Sequence, residues 1–127
     1  MPSYAQTTGT LSTNSGSFTP IPGLTINVPG GVDVTSLVIL NLPNPYATGN
    51  NYPGGVFAIS VDGNVSPVQA AFTYNEQVPP STGRIPTTLV VGVPLIQQPQ
   101  VVQAMWYGVR GSTVIIDTPA TLSAVLS

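Results

Sequence analysis

The chain has 127 residues, enough for one domain with a modest core, and only 5% of them are charged. With two arginines, no lysine and a formal net charge of −2, it lacks the basic surface that binds nucleic acids or anionic membranes. Histidine and cysteine are both absent, which excludes disulfides, thiol chemistry, the commonest general base and the commonest transition-metal ligands. We therefore expect no cofactor and no metal.

The N-terminal residues 1–16 are rich in serine and threonine and predict either a flexible arm or an edge strand. The first ten, MPSYAQTTGT, lack the basic and apolar regions of a secretory signal, so we expect any export to follow a leaderless route. Along the whole chain, 14 prolines and 13 glycines interrupt the sequence too often for long helices. No apolar run approaches the roughly 20 residues that a membrane span needs.

Between these breaks, short segments rich in β-branched and aromatic residues predict eight strands. Alternation is clear in several of them, as where Phe57, Ile59 and Val61 share one face. The turn Asp62-Gly63-Asn64 predicts a hairpin. The pattern favours one all-β domain over residues 1–127, a β-sandwich or jelly roll. The predicted strands lie near residues 22–28, 34–41, 55–61, 68–75, 87–96, 100–110, 112–117 and 120–126.

Two segments, 89–96 and 101–109, carry apolar residues on both faces. Such a strand must be covered on both sides. Two interpretations stay open: a central strand beneath a loop, or a strand at a subunit interface. The low charge favours the second, because obligate interfaces are more apolar than free surface.

Polar side chains concentrate in three segments, 44–54, 72–84 and 106–112. Together these segments hold both arginines, the only tryptophan and most of the tyrosines. Aromatic rings pack on the apolar face of a sugar, and hydroxyl, amide and guanidinium groups bind its hydroxyls. This inventory is typical of a site for a neutral, polyhydroxylated ligand.

The arginines have a second interpretation that involves no ligand. Arg84 or Arg110 could instead form a structural ion pair with Glu76 or Asp117, and composition alone does not separate the two roles. Glu76 and Asp117 are also the only candidates for a glycosidase-like pair of carboxylates. Without histidine or lysine, no serine or threonine can be activated as a nucleophile. We therefore predict that the protein is not an enzyme.

Several stretches of these segments resemble the bacterial TNF-like fucose-binding lectins, a family that includes the N-terminal domain of a two-domain superlectin. The similarity extends from about residue 21 to the C-terminus. It implies a TNF-like jelly-roll sandwich, a homotrimer, and metal-independent binding of fucosylated glycans between neighbouring protomers. The stretches are IPGL (21–24), VILNLPNPYATGNNYPG (38–54), FTYNEQVPPSTGRIPTTLV (72–90) and WYGVRGS (106–112).

Transferred by position, the resemblance implies two half-sites that together contain both arginines of the chain. One protomer would contribute Tyr46, Ser81, Thr82 and Arg84. Its neighbour would contribute Thr73, Tyr74 and Arg110. The expected partners are therefore fucosylated glycans on cell or host surfaces and two further copies of the chain, with no nucleic acid and no membrane insertion.

One position departs from the family pattern. The family has a tyrosine on the strand after the PYATGNN loop, where this chain has Val56. The loss of a phenol removes a hydrogen bond and opens space, which places strict fucose preference in question. Two alternatives to a fucose lectin remain: a lectin of altered specificity, and a non-catalytic structural jelly-roll trimer such as a phage or capsid-like decoration protein.

Overall fold

The computed structural model describes residues 3–75 and 83–126. In this part of the chain eleven strands and no helix are found, and every strand pair is antiparallel, so the predicted all-β class is confirmed. The strands are β1 (Tyr4–Gln6), β2 (Leu11–Thr13), β3 (Thr19–Val28), β4 (Thr35–Leu42), β5 (Tyr46–Thr48), β6 (Gly54–Val61), β7 (Asn64–Thr73), β8 (Thr87–Pro94), β9 (Gln100–Val109), β10 (Thr113–Ile116) and β11 (Thr121–Leu126). No helix long and apolar enough to cross a membrane occurs in the described ranges.

Two four-stranded sheets enclose a single hydrophobic core, as in a β-sandwich. Their strand orders are β1-β11-β4-β8 and β3-β9-β6-β7, and a small third sheet has the order β2-β10-β5. Alternate residues of each strand face inward, as in β8, where Leu89, Val91 and Val93 are buried and the residues between them are exposed. The largest core side chain is Trp106 of β9. Phe57 of β6 packs nearly parallel to Phe72 of β7, with ring centroids 6.1 Å apart.

The predicted hairpin joins β6 to β7 through a two-residue turn. Asp62 and Gly63 both have positive φ angles, 50° and 85°, and Val61 pairs directly with Asn64 across the turn. This is the mirror-image turn that matches the twist of paired strands. Pairing therefore resumes at once, and β7 begins four positions earlier than the 68–75 segment predicts. Pro67 is tolerated in β7 because β7 is an edge strand with a register shift at that point.

The turn allows a clean test of backbone conformation. We expect Gly63→Ala to lower the free energy of unfolding by about 1–2 kcal/mol, because the φ of +85° disfavours any side chain. A Cβ at Gly63 meets no atom within 4 Å, so no steric clash adds to this cost. Gly16→Ala is the matched control, since its Cβ also meets nothing and its φ is not in the left-handed region. Urea denaturation should separate the two variants, and equal midpoints would contradict the prediction.

The N-terminal segment forms edge strands where the structure describes it. β1 pairs with β11 at one edge of the first sheet, and β2 pairs with β10 at one edge of the small sheet. The threonine hydroxyl of Thr7, between them, accepts a hydrogen bond from the backbone N–H of Ala120 at 2.8 Å. These backbone and side-chain bonds attach the segment to the sandwich.

The two segments with apolar residues on both faces, 89–96 and 101–109, occupy different positions in their sheets. β9 is central in its sheet, whereas β8 is an edge strand. The described residues leave the outward face of β8 exposed, and Val90 is 50% exposed. A central strand beneath a loop therefore does not describe β8, and its outer apolar residues are available for contact with another molecule.

Candidate functional site

Described parts of all three polar segments meet at one end of the sandwich because of the strand register. Gly54, the first residue of β6, pairs with Thr73 at the end of β7 and with Val109 at the end of β9. The loop before β6, the residues after β7 and the turn after β9 therefore leave the sheet side by side. Of the predicted site residues, Ser81 and Thr82 lie outside the described residues, as does Glu76.

Arg84 is held against the short strand β5. The backbone N–H of Ile85 donates to the carbonyl of Pro45 at 3.0 Å, which fixes the neighbouring Arg84 beside Tyr46. The guanidinium carbon lies 4.0 Å from the centroid of the Tyr46 ring, within the range of a cation–π contact. Tyr46 and Arg84, two predicted site residues that are distant in the sequence, are thus in direct contact.

An ion pair completes the surroundings of Arg84. Its Nη1 donates to Oδ1 of Asp117 at 2.8 Å and to the carbonyl of Asn44 at 3.3 Å. Strand register explains the geometry, because Tyr46 of β5 pairs with Ile115 of β10 in antiparallel fashion. Asn44 and Asp117 each lie two residues beyond that pair on the same side, and so they face each other. In the part of the chain that is described, Nε and Nη2 of Arg84 have no partner, leaving three donors for a ligand.

Tyr74 connects this group to the loop before β6. Its hydroxyl donates to the carbonyl of Gly83 at 2.5 Å and accepts from the backbone N–H of Ala47 at 3.3 Å. Its own backbone N–H donates to the carbonyl of Pro53 at 2.8 Å. Within one chain, Tyr74 therefore lies beside the residues that hold Tyr46 and Arg84. The division of these residues between two protomers stays a prediction.

Burial raises the pKa of the Tyr74 phenol above its ordinary value of 10.0, and the opposing effects of the Ala47 hydrogen bond and of Arg84 are smaller. The folded chain thus retains this proton more tightly than the unfolded chain. Its contribution to stability is complete below about pH 10 and is lost as the pH rises through the higher folded value. We expect Tyr74→Phe to be less stable than wild type at neutral pH, by roughly 0.5–1.5 kcal/mol for each hydrogen bond lost.

The difference in unfolding free energy between wild type and Tyr74→Phe should shrink as the pH rises above 10, because the other tyrosines are common to both proteins. Chemical denaturation at neutral pH and at several values above pH 10 measures this difference. A difference independent of pH would show that Tyr74 titrates as it does in the unfolded chain.

Arg110 occupies a strained turn. Arg110 and Gly111 both have positive φ, 49° and 75°, and Ser112 N–H closes the turn onto the carbonyl of Val109 at 2.9 Å. A non-glycine residue in this region costs energy and is frequent at functional sites. The guanidinium donates from Nε to the carbonyl of Asn51 at 3.0 Å and from Nη2 to that of Tyr52 at 2.5 Å. These bonds hold the arginine beside the loop before β6, and its remaining N–H groups have no partner among the described residues.

The same corner depends on two glycines and one serine. Ser112 is buried, accepts from the backbone N–H of Gly54 at 3.1 Å and donates to the carbonyl of Val109. A Cβ at Gly54 would lie 2.1 Å from the carbonyl oxygen of Phe72, and one at Gly108 would lie 2.1 Å from that of Ser112. Only glycine fits at either position, so close backbone packing sets where Arg110 leaves the sheet.

A comparison with protein families gives a match over nearly the whole chain. Residues 4–125 match the family model described as "Bc2l-C, N-terminal domain". The chain belongs to this family. A search of curated proteins returned no match. The Bc2l-C N-terminal domain family is one of lectin-type, non-catalytic domains, and the match confirms the resemblance noted from the sequence.

The remaining predicted residues of this Bc2l-C domain lie on the outer face of the second sheet. Thr73 is exposed at the end of β7. Val56 lies two residues into β6, between Ala71 of β7 and Tyr107 of β9, and is only 6% exposed. Tyr107 in turn packs edge-on against Phe18, with ring centroids 4.7 Å apart. Val56 is thus nearly buried and exposes little area to a ligand.

Asn44 and Asp117, which both contact Arg84, are not among the binding residues that the sequence predicts. The sequence offers Asp117 only as an ion-pair partner or as one of a pair of carboxylates, and Asn44 only as part of a polar loop. The pairing of Tyr46 with Ile115 brings both to Arg84, and a pairing between distant segments leaves no local signal. Across the described ranges, no three acidic residues are grouped so that they could hold a metal ion.

Proposed function

We propose that this domain is a lectin that binds fucose and fucosylated glycans, without a metal, at sites between the protomers of a homotrimer. The observation that carries the proposal is the arrangement of Arg84 on the ring of Tyr46, next to Tyr74, with three guanidinium donors that have no partner in the described part of the chain. The Tyr46 ring orients the guanidinium, and a preoriented fork of donors suits a neutral sugar, which presents neighbouring hydroxyls.

Arg110 supports the proposal from the adjacent corner. The chain has only two cations, and both donate to backbone carbonyls of the segment between β4 and β6, Arg84 to Asn44 and Arg110 to Asn51. Each is held by backbone carbonyls, so little side-chain freedom remains to be lost when a ligand binds. A purely structural trimer gains nothing from preparing two arginines in this way.

The trimer is supported by the outer face of the sheet β1-β11-β4-β8. None of these four strands contains a charged residue. Leu37 of β4, Val90 of β8 and Val125 of β11 are 40%, 50% and 52% exposed. Leu37 pairs directly with Val125, and Ile39 pairs with Val90, so the apolar side chains form one continuous surface. An uncharged apolar face of this kind is typical of obligate interfaces.

The strand order supports the jelly-roll part of the proposal. When the short strands β2, β5 and β10 are set aside, eight strands remain in two sheets of four. Every connection between consecutive strands crosses from one sheet to the other, except the β6–β7 hairpin. Two interleaved four-stranded sheets of this kind are the arrangement of jelly rolls.

A single site should bind weakly, because a monosaccharide offers few atoms for contact. Three linked sites facing a glycan-coated surface would raise the apparent affinity by roughly 10²–10⁴. Adhesion to fucosylated cell or host surfaces is therefore the role that we propose.

The test is a calorimetric titration of the wild-type protein with L-fucose, with its mass in solution measured in the same buffer. Saturable heat, one sugar per chain and the mass of a trimer are expected. A trimer that gives no heat with fucose but binds another sugar on a glycan screen would indicate specificity altered through Val56. A trimer that binds no glycan would overturn the proposal and favour the structural alternative.

A further inference from the structure

The charge balance around Arg84 is unusual for an arginine offered to a ligand. Its guanidinium already has a carboxylate partner, with Nη1 2.8 Å from Oδ1 of Asp117. The pair is not buried, since the side chains are 42% and 29% exposed, and so it adds little to the stability of the fold. The Arg84–Asp117 pair therefore affects the orientation of the guanidinium and the local charge more than it affects the stability of the fold.

Asp117 is itself fixed by its surroundings. Thr118 donates from its hydroxyl to the same Oδ1 atom at 3.4 Å, and the Asn44 side-chain amide donates to the Thr118 hydroxyl at 3.4 Å. The carbonyl of Asn44 accepts from Arg84 Nη1, which closes a ring of polar contacts. The ring determines the side of the guanidinium that faces Asp117, and therefore the three donors that face away.

The pairing also determines the ligand charge that the site accepts. An unpaired arginine attracts carboxylates, which it binds through two parallel hydrogen bonds. Here the charges of Arg84 and Asp117 sum to zero, and a second carboxylate brought to the guanidinium would approach Asp117 at close range. Like charges at that separation repel, whereas sugar hydroxyls bear no charge and meet no such barrier.

We propose that Asp117 is a positioning and specificity-determining residue: it holds Arg84 against Tyr46 and restricts the site to neutral glycans by excluding acidic ones. This inference rests on the proposed function and extends it to the class of sugar accepted. Asp117 acts through Arg84, so its removal should change selectivity as well as affinity. A purely structural ion pair would have no effect on selectivity.

The experiment compares wild type, Asp117→Asn and Asp33→Asn by calorimetric titration with L-fucose and with methyl β-D-glucuronide. Asp33→Asn is the matched control: it makes the same change in net charge at an exposed loop position, and asparagine tolerates the positive φ of 56° there. We expect Asp117→Asn to bind fucose roughly two- to fivefold more weakly and to bind the glucuronide, which the other two proteins reject. Raising the salt concentration should weaken the new glucuronide binding, because that binding is between opposite charges.

Each outcome bears on one proposal. If wild type binds no neutral sugar, the proposed function fails. If wild type binds fucose and Asp117→Asn rejects the glucuronide as wild type does, the lectin function stands and the role of Asp117 is overturned. Glucuronide binding by Asp33→Asn would also overturn it, since net charge alone would explain the gain. If the solution mass of Asp117→Asn differs from that of wild type, the variant has not assembled correctly, and Asp117→Ser is used for the same comparison.

Discussion

Arg84→Ala is expected to weaken fucose binding roughly 10- to 150-fold, because hydrogen bonds from a charged donor contribute about 1.5–3 kcal/mol. The truncation removes the free donors Nε and Nη2 and uncovers the face of Tyr46 on which the guanidinium rests. The fold should be retained, since the pair with Asp117 is half exposed and screened by water, and its loss costs at most about 1 kcal/mol. Calorimetry gives the affinity, and thermal unfolding and solution mass confirm the folded state.

Arg84→Lys is the matched control for this substitution. Lysine keeps the positive charge and can still pair with Asp117, but it lacks the planar fork that donates in several directions at once. We expect it to recover only part of the lost affinity. An Arg84→Ala protein that binds fucose as tightly as wild type, with an unchanged mass, would remove Arg84 from the site.

The second large effect is expected at the apolar face of the first sheet. Leu37 lies on the inner strand β4, between β11 and β8, and its side chain points outward among uncharged neighbours. We expect Leu37→Lys to convert the proposed trimer into folded monomers, because the proposed threefold contact would have to bury three lysines without partners. Fucose binding should be lost at the same time, since in the proposed assembly each protomer holds only half of a site.

Val101→Lys controls for the general effect of a new charge on an exposed strand. Val101 is 43% exposed, similar to Leu37, but it lies on β9 of the other sheet. Sedimentation of this variant should give the wild-type mass, with fucose binding retained. Leu37→Lys monomers that still bind fucose with wild-type affinity would show that one chain holds a complete site.

Arg84→Ala and Leu37→Lys are expected to affect binding and assembly differently. Arg84→Ala should abolish most binding in an intact trimer, whereas Leu37→Lys should abolish assembly and binding in a folded chain. The contact of Tyr74 with the segments of Tyr46 and Arg84 within one chain makes the second result informative. It separates a pocket that only assembly completes from one that the sandwich forms alone.

Local signals predicted much of the fold. Alternation and turn chemistry depend on residues that are adjacent in the chain, and they located the main strands to within a few residues, as well as the hairpin at Asp62-Gly63. They did not predict β5 inside a loop rich in polar residues, because three residues are too few to show a period. They also placed the start of β7 too late, at residue 68 instead of Asn64.

For the site, composition indicated the chemistry, and the family resemblance indicated the positions. A chain with two cations, no histidine and many aromatic and hydroxyl groups in its polar segments has the residue types that are typical of a site for a neutral ligand. The sequence also left open whether Arg84 binds a ligand or forms an ion pair. The structure shows the ion pair with Asp117 and, in the described chain, free donors on the same guanidinium.

The sequence by itself thus determined the all-β class, the positions of the turns and the residue types available to the site, because each depends on neighbours along the chain. Only the tertiary structure decided that Asp117, 33 residues from Arg84, is its partner, and that Tyr74 joins Tyr46 and Arg84 to the loop before β6. It also decided which apolar strand surface the described residues leave exposed. Contacts of this kind depend on which strand edges meet, and that is selected by the packing of the whole core, which no local pattern encodes.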